Sequence, residues 1–183
     1  RNELRIEAHY QLIIDNLLDL SHAQYLHADS LGNEDFYRAK SVVEVQGATV
    51  WDRRTTYNTT APPAFEHILG PGKRVDFWMD ARVTPPGEYF LDVGLTHAGR
   101  PREEGGQIDS VQLLTPETRT STLYHWNVCR NYDIGNAQLT AIWAQAVAAA
   151  FQFDKVMIEA QQRNIGSHEV VAHGGHTVSA DES

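Results

Sequence analysis

The sequence predicts an α+β domain, with an antiparallel sheet of six or so strands, one helix before it and one long helix after it. Three observations carry this. Apolar residues recur at helical spacing through residues 10–20 and again through residues 139–163. Between these stretches, short runs alternate apolar with polar residues. Clusters of Pro, Gly and Asn separate the runs, and no repeat or internal linker interrupts them.

The first helix covers residues 10–20, with Leu12, Ile13, Leu17 and Leu20 on its apolar side. Leu31-Gly32-Asn33 closes this region. A strand over residues 37–45 turns at Gln46-Gly47 and returns over residues 48–57. Residues 59–72 hold Pro62, Pro63, Gly70, Pro71 and Gly72 and read as a loop. That is longer than the usual ~4–6 residues, as suits a lid or a pocket edge. In the strand over residues 74–82, Val75, Phe77 and Met79 alternate with Asp76, Trp78 and Asp80, and Pro85-Pro86-Gly87 breaks it. Further strands are expected over residues 88–96 and 108–114, joined by a polar loop from His97 to Gly106. Pro116-Glu117 reads as a turn and residues 118–129 as the longest strand. Beyond Asn131 the period returns to 3.6. Asn136 or Thr140 can cap a helix whose span, residues 139–163, lacks Pro and Gly. Ile142, Trp143, Ala146, Val147, Ala150 and Phe151 form its apolar stripe, and the tail from Ile165 reads as loop.

Composition excludes several functions. The 183 residues suffice for one domain with a sizeable core. A net charge of −9, with no basic stripe, argues against nucleic-acid binding. No apolar run approaches the ~20 residues that span a bilayer, and no signal-peptide pattern opens the chain. Cys129 is the sole cysteine, so an internal disulfide is impossible and a cysteine-held cluster within this chain is not expected. A reducing cytoplasm is the expected setting. A start at Arg1 and an end at Ala180-Asp181-Glu182-Ser183, which reads like the cap of a further helix, lead us to expect a piece of a longer protein.

Chemistry concentrates in residues 15–27. Asp15, Asp19 and His22 share a face if the first helix runs that far. His22 and His27 are five apart, too far round for one helical face, so the helix must loosen or end between them. This is not the four-residue spacing of the zinc-protease helix. Two imidazoles and one carboxylate on one side of an iron, with other positions open, suit Fe(II) oxygen activation. The competing reading is a surface or capping pair. Asp154 falls in phase with Trp143, Val147, Ala150 and Ile158. A carboxylate on an apolar stripe is costly unless paired or metal-bound. A helix–helix salt bridge, or a break that turns Asp154 outward, competes here. The metal site is expected between the first helix and the last. His168, His173 and His176 lie in a glycine-bearing tail with no apolar frame, and are read as solvated residues that bind no metal.

Asp19-x2-His22-x4-His27, with Asp154 on a helix more than a hundred residues later, resembles the catalytic domain of Rieske non-haem iron oxygenases. The stretch from Asn16 to His27 is similar to the branch that holds the vanillate O-demethylase oxygenase component and dicamba monooxygenase. Val75-Asp76-Phe77-Trp78, Leu114-Thr115-Pro116-Glu117-Thr118, Arg130-Asn131 and Phe153-Asp154-Lys155 follow in the order of that branch. The resemblance implies a helix-grip (START/Bet v 1-like) fold, an antiparallel sheet wrapped on a long C-terminal helix. It implies that residues 1–183 are a catalytic domain with mononuclear Fe(II) on His22, His27 and Asp154, in a homotrimer. It gives Asp19 an electron-transfer role, as a bridge to a Rieske histidine of the neighbouring subunit, and sets Asn16 near the iron. Asp19 lies one turn before His22, so its carboxylate can also reach the outer ring nitrogen of that histidine.

The Rieske [2Fe-2S] motif, Cys-x-His followed by Cys-x2-His, does not occur in this chain. Electrons would come from NAD(P)H through a reductase or ferredoxin partner. The implied reaction uses O2 to oxidise an aromatic substrate, foremost by O-demethylation of a methoxybenzoate such as vanillate. Where that branch commonly has a histidine, this chain has Leu123. His125, two residues on and hence on the same strand face, is the candidate replacement, against the reading of a core or edge histidine. Trp126 and Trp143 are candidates for an aromatic slot, against plain core. Two alternatives remain, an aromatic ring-hydroxylating dioxygenase and a non-enzymatic helix-grip module that binds a small ligand.

Overall fold

Side-chain alternation along the strands decides which face of the sheet is buried. In the computed structural model, which describes residues 2–27 and 31–166, seven strands form one antiparallel sheet in the order β1-β7-β6-β5-β4-β3-β2. The strands are β1 (Glu3–Ile6), β2 (Val42–Gln46), β3 (Thr49–Thr60), β4 (Arg74–Thr84), β5 (Glu88–His97), β6 (Gly106–Thr118) and β7 (Ser121–Arg130). The helices are α1 (Tyr10–Leu18), α2 (Ala23–Leu26), α3 (Glu34–Arg38), α4 (Glu66–Leu69) and α5 (Ala137–Ile165), with a 3₁₀ turn at Leu20–His22. Val75, Phe77, Met79 and Ala81 of the interior strand β4 enter one core with Leu12, Ile13, Leu17 and Leu20. Phe151 of α5 joins that core edge-on, its ring centroid 5.1 Å from those of Tyr124 and Trp126. This is the expected α+β helix-grip arrangement, with α5 gripped against one sheet face.

Four local expectations differ from the structure. Residues 3–6 form a strand that escaped detection, because Leu4 and Ile6 alone make no readable alternation. Its partner is β7, with Glu3 opposite His125. Residues 34–38 form a helix rather than the start of a strand. The Asn33 side chain accepts the Phe36 N–H at 2.8 Å, and Phe36 is fully buried. Pro116 and Glu117 lie within β6, and the chain turns at residues 119–120 instead. The register shifts between Pro116 and Thr118, which accommodates a residue with no N–H, so β6 is the longest strand. Residues 59–72 are not plain loop, for they hold the end of β3, a 3₁₀ turn at Pro63–Phe65 and α4.

The last helix also differs in phase. Asp154, Ile158 and Gln162 are its buried residues, while Ile142 is 54% exposed and Ala146 is exposed. Ile142 precedes Trp143 by one residue, a rotation of about 100°, which carries it off the face that meets the sheet. Asparagine is the cap: Asn136 accepts the Leu139 N–H at 3.0 Å. Polar bonds pin the other end of α5 to the N-terminal segment. Glu159 accepts the Glu7 N–H at 2.9 Å, and Gln162 accepts the His9 N–H at 2.8 Å. Among the described residues, no helix is long and apolar enough to cross a membrane.

Candidate metal centre

The helix α1 ends at Leu18 because Asp19 leaves helical geometry, at φ −80° and ψ 80°. The Asp19 carboxylate then accepts the Ser21 N–H at 3.0 Å and the Ser21 hydroxyl at 2.5 Å, which starts the 3₁₀ turn. Asp15, Asp19 and His22 therefore share no continuous helical face. The expected carboxylate contact to His22 is replaced by a main-chain one, with His22 Nδ1 2.5 Å from the Asp19 carbonyl oxygen. A carbonyl can only accept, so Nδ1 is the donor, and in the neutral ring this leaves the lone pair on Nε2. His27 follows as the C-cap of α2, where the backbone turns to φ −130° and ψ 28°. The helix thus loosens between the two histidines, as their spacing requires, and their ring centroids come to 5.5 Å at 74°.

From the far end of the chain, α5 brings Asp154 to the same point. Its Oδ1 is 3.1 Å from His27 Nε2 and 3.8 Å from His22 Nε2. One donor atom from each of the three residues lies within 4.8 Å of the others, and among the described residues this is the one such group of three or more. His27 and Asp154 are buried, and His22 is partly exposed. Two imidazoles and a buried carboxylate are a donor set that fits a divalent cation. The cation would also offset the cost of burying the carboxylate.

Around this group the interior is polar but locked. Burial raises the Tyr89 hydroxyl well above its usual range, and the charges of Asp52 and Asp154 raise it further. Tyr89 stays protonated and donates to the Leu17 carbonyl at 3.0 Å. Tyr124 is raised in the same way, first by burial and then by Tyr89 and Asp154, and donates to the Gln112 side chain. Asn16 lies on α1 with its Oδ1 buried and without a hydrogen-bond partner among the described residues. Asp52 and Arg54 are buried on the core side of β3. Sequence reasoning assigned neither of them a role, although both fall in phase with Val50, where an apolar residue belongs.

Trp126 and Trp143 line one cavity of about 210 Å³ between β6, β7 and α5, with Ile108, Val128 and Val147. Phe151, which touches Trp126, stands one helical turn before Asp154. His125 does not reach this cavity. Tyr124 and Trp126 on either side of it pack against Phe151, so the two-residue period sends His125 and Leu123 to the other sheet face. There His125 Nδ1 lies 3.5 Å from the Glu3 carboxylate, half exposed. His168, His173 and His176 lie outside the described residues.

The family described as vanillate O-demethylase oxygenase C-terminal domain matches residues 6–178. The vanillate O-demethylase oxygenase subunit of Pseudomonas sp. strain HR199 is 36% identical over 170 residues, covering 87% of this chain and 48% of that protein. The dicamba O-demethylase oxygenase component of Stenotrophomonas maltophilia is 27% identical over 180 residues, covering 97% of this chain and 53% of that protein. Among solved structures, dicamba monooxygenase bound to 3,6-dichlorosalicylic acid matches with a TM-score of 0.83 at 27% identity, over 88% of this chain and 48% of that one. The chain spans about half the length of the curated relatives it matches.

Proposed function

The chain belongs to the family of vanillate O-demethylase oxygenase C-terminal domains, and on that premise we propose that it is the catalytic domain of an aromatic O-demethylase with one Fe(II) on His22, His27 and Asp154. The observation that carries this reading is the convergence of the three donor atoms, two of them on buried residues, within 4.8 Å. A bound iron supplies the reduction of O2: one oxygen atom enters a methyl C–H bond, the other leaves as water, and two electrons and two protons are consumed. The hydroxymethyl ether so formed on the substrate collapses to a phenol and formaldehyde.

The residues of this chain bind, orient and shield. The Asp19 carbonyl holds the His22 ring with Nε2 free. Leu17, Leu20 and the neutral Tyr89 keep water from the inner side of the centre. Trp126 and Trp143 are our candidates for the aromatic slot, supported by the cavity they both line and by Phe151, which packs on Trp126 one helical turn before Asp154. The resemblance sets Asn16 near the iron, and its buried, orphaned Oδ1 supports a role as a polar contact for substrate. The Asp19 carboxylate is exposed, as a bridge to a Rieske histidine of a neighbouring subunit in a homotrimer requires. The electrons come from NAD(P)H through a reductase partner and a Rieske [2Fe-2S] cluster outside this chain, in the cytoplasm.

The test uses the full-length protein with a reductase and a panel of methoxybenzoates that includes vanillate. We expect one mononuclear iron per chain beside the two irons of the Rieske cluster, and release of formaldehyde with each demethylated acid. His22→Ala should lose the iron with the fold intact by circular dichroism. A cis-diol product would replace this reading with ring dihydroxylation. Protein that folds without taking up the mononuclear iron would leave a ligand-binding module.

A further inference from the structure

The sheet face turned away from α1 and α5 carries a second organised cluster of charge. On β4, Trp78 and Asp80 alternate with the core residues Phe77, Met79 and Ala81, so both point to this outer face. Asp80 is nonetheless only 4% exposed, because two guanidinium groups close over it. Arg53 Nη1 lies 3.2 Å and Arg102 Nη1 2.9 Å from the same oxygen, Oδ2. Arg102 Nη2 also donates to the Thr55 hydroxyl at 3.1 Å. Each guanidinium is stacked as well, Arg53 at 4.0 Å over Trp51 and Arg102 at 4.6 Å over Trp78. Trp78 is itself held, since its indole N–H donates to Asp92 at 2.8 Å. These arginines are therefore fixed forks rather than mobile surface charges.

Beside them opens a cavity of about 430 Å³, walled by Lys40, Arg53, Thr55 and Arg102 with Val42, Tyr57 and Asp80. Three cations meet one carboxylate in this wall. Glu44, 3.6 Å from Arg53 Nε, and Asp92, which holds the Trp78 indole, add anions at its rim. Planar, immobilised guanidinium groups suit a carboxylate, which they meet with paired N–H bonds and little loss of side-chain freedom. Val42 and Tyr57 are 50% and 75% exposed, an apolar surface against which a flat ring can lie. The volume falls in the ~300–1,000 Å³ range of small-molecule sites.

We infer that this outer cavity binds the carboxylate of a small aromatic acid, at a site separated from the candidate metal centre by the thickness of the sheet. The inference rests on the Asp80 lattice and not on the metal reading. The test is calorimetric titration of the full-length protein with 4-methoxybenzoate, beside uncharged anisole and ring-free acetate. The expected result is a binding step, weakened by salt because the charges are half exposed, that neither anisole nor acetate reproduces. Lys40→Gln and Arg102→Gln should each weaken that step about tenfold, the worth of one charge-assisted contact. His22→Ala should lose iron yet keep the step, so failure of the metal reading and failure of this site are told apart. Lys40 takes no part in holding Asp80, so Lys40→Gln remains decisive if Arg102→Gln fails to fold. A single binding step unchanged in both folded variants, or equal binding of anisole, would overturn the inference.

Discussion

His22 is held at the centre by a backbone carbonyl, and this separates two roles that one residue could have combined. The ring contact at 2.5 Å uses the main chain of Asp19, while its carboxylate is engaged with Ser21 and exposed. Replacing the side chain therefore leaves the ring contact in place. Asp19→Asn in the full-length protein should retain iron, since Asn can still accept from Ser21. It should lose turnover by on the order of 10–100-fold, because the charge proposed to serve electron delivery is gone. Metal analysis and steady-state rates on one preparation check this. Iron loss equal to that of His22→Ala would make the side chain structural, and normal turnover would remove it from electron transfer.

At the scale of elements, α5 carries Asp154 to the centre, and its position depends on the clamp near its C-terminal end. Burial alone would raise the Glu159 carboxyl, but the Glu7 N–H and the Lys155 ammonium outweigh it and hold Glu159 below its usual value. Lys155 also donates to the Arg5 carbonyl at 2.6 Å, which ties the same helical turn to β1. A carboxyl lowered in the fold contributes stability above its unfolded value and loses it as pH falls through the lowered one. Glu159→Gln should thus lower the melting temperature at neutral pH, and the gap to the parent should close in acid. Thermal melts over a pH series test this, and a gap independent of pH would refute it. The α1 break belongs to this scale too. It puts His22 in a 3₁₀ turn and His27 at a helix end, which a continuous helix would have splayed apart.

Across the whole molecule, the sheet separates two polar systems, the candidate metal centre among buried tyrosines on one face and the arginine lattice on the other. Asp52 lies on the core side of β3. Burial raises its carboxyl above the usual range, the Ser41 hydroxyl and Arg54 oppose this, and Asp19 and Asp80 add to the rise. A group raised in the fold favours the folded state at low pH and loses that contribution as pH rises through the raised value. The parent should therefore lose stability relative to Asp52→Asn between acid and neutral pH, since Asn can accept from Ser41 without carrying charge. Melting curves of both proteins over that range check the sign, and a constant difference would place Asp52 in an ordinary solvated setting.

Read alone, the sequence determined the α+β class, the central strands and the span of α5 within about two residues. It also singled out His22, His27 and Asp154, because a five-residue histidine spacing and a carboxylate on an apolar stripe are local anomalies. Such signals depend on neighbours two to four positions apart. Only the tertiary structure decided the rest. It paired the undetected β1 with β7, moved the turn past Pro116, and sent His125 to the face away from the Trp126 cavity. It also exchanged the Asp19 carboxylate for its carbonyl at the His22 ring, and closed 127 residues of chain between His27 and Asp154 to 3.1 Å. Strand register and the end of α1 are set by contacts between residues far apart in the chain, and no local period records them.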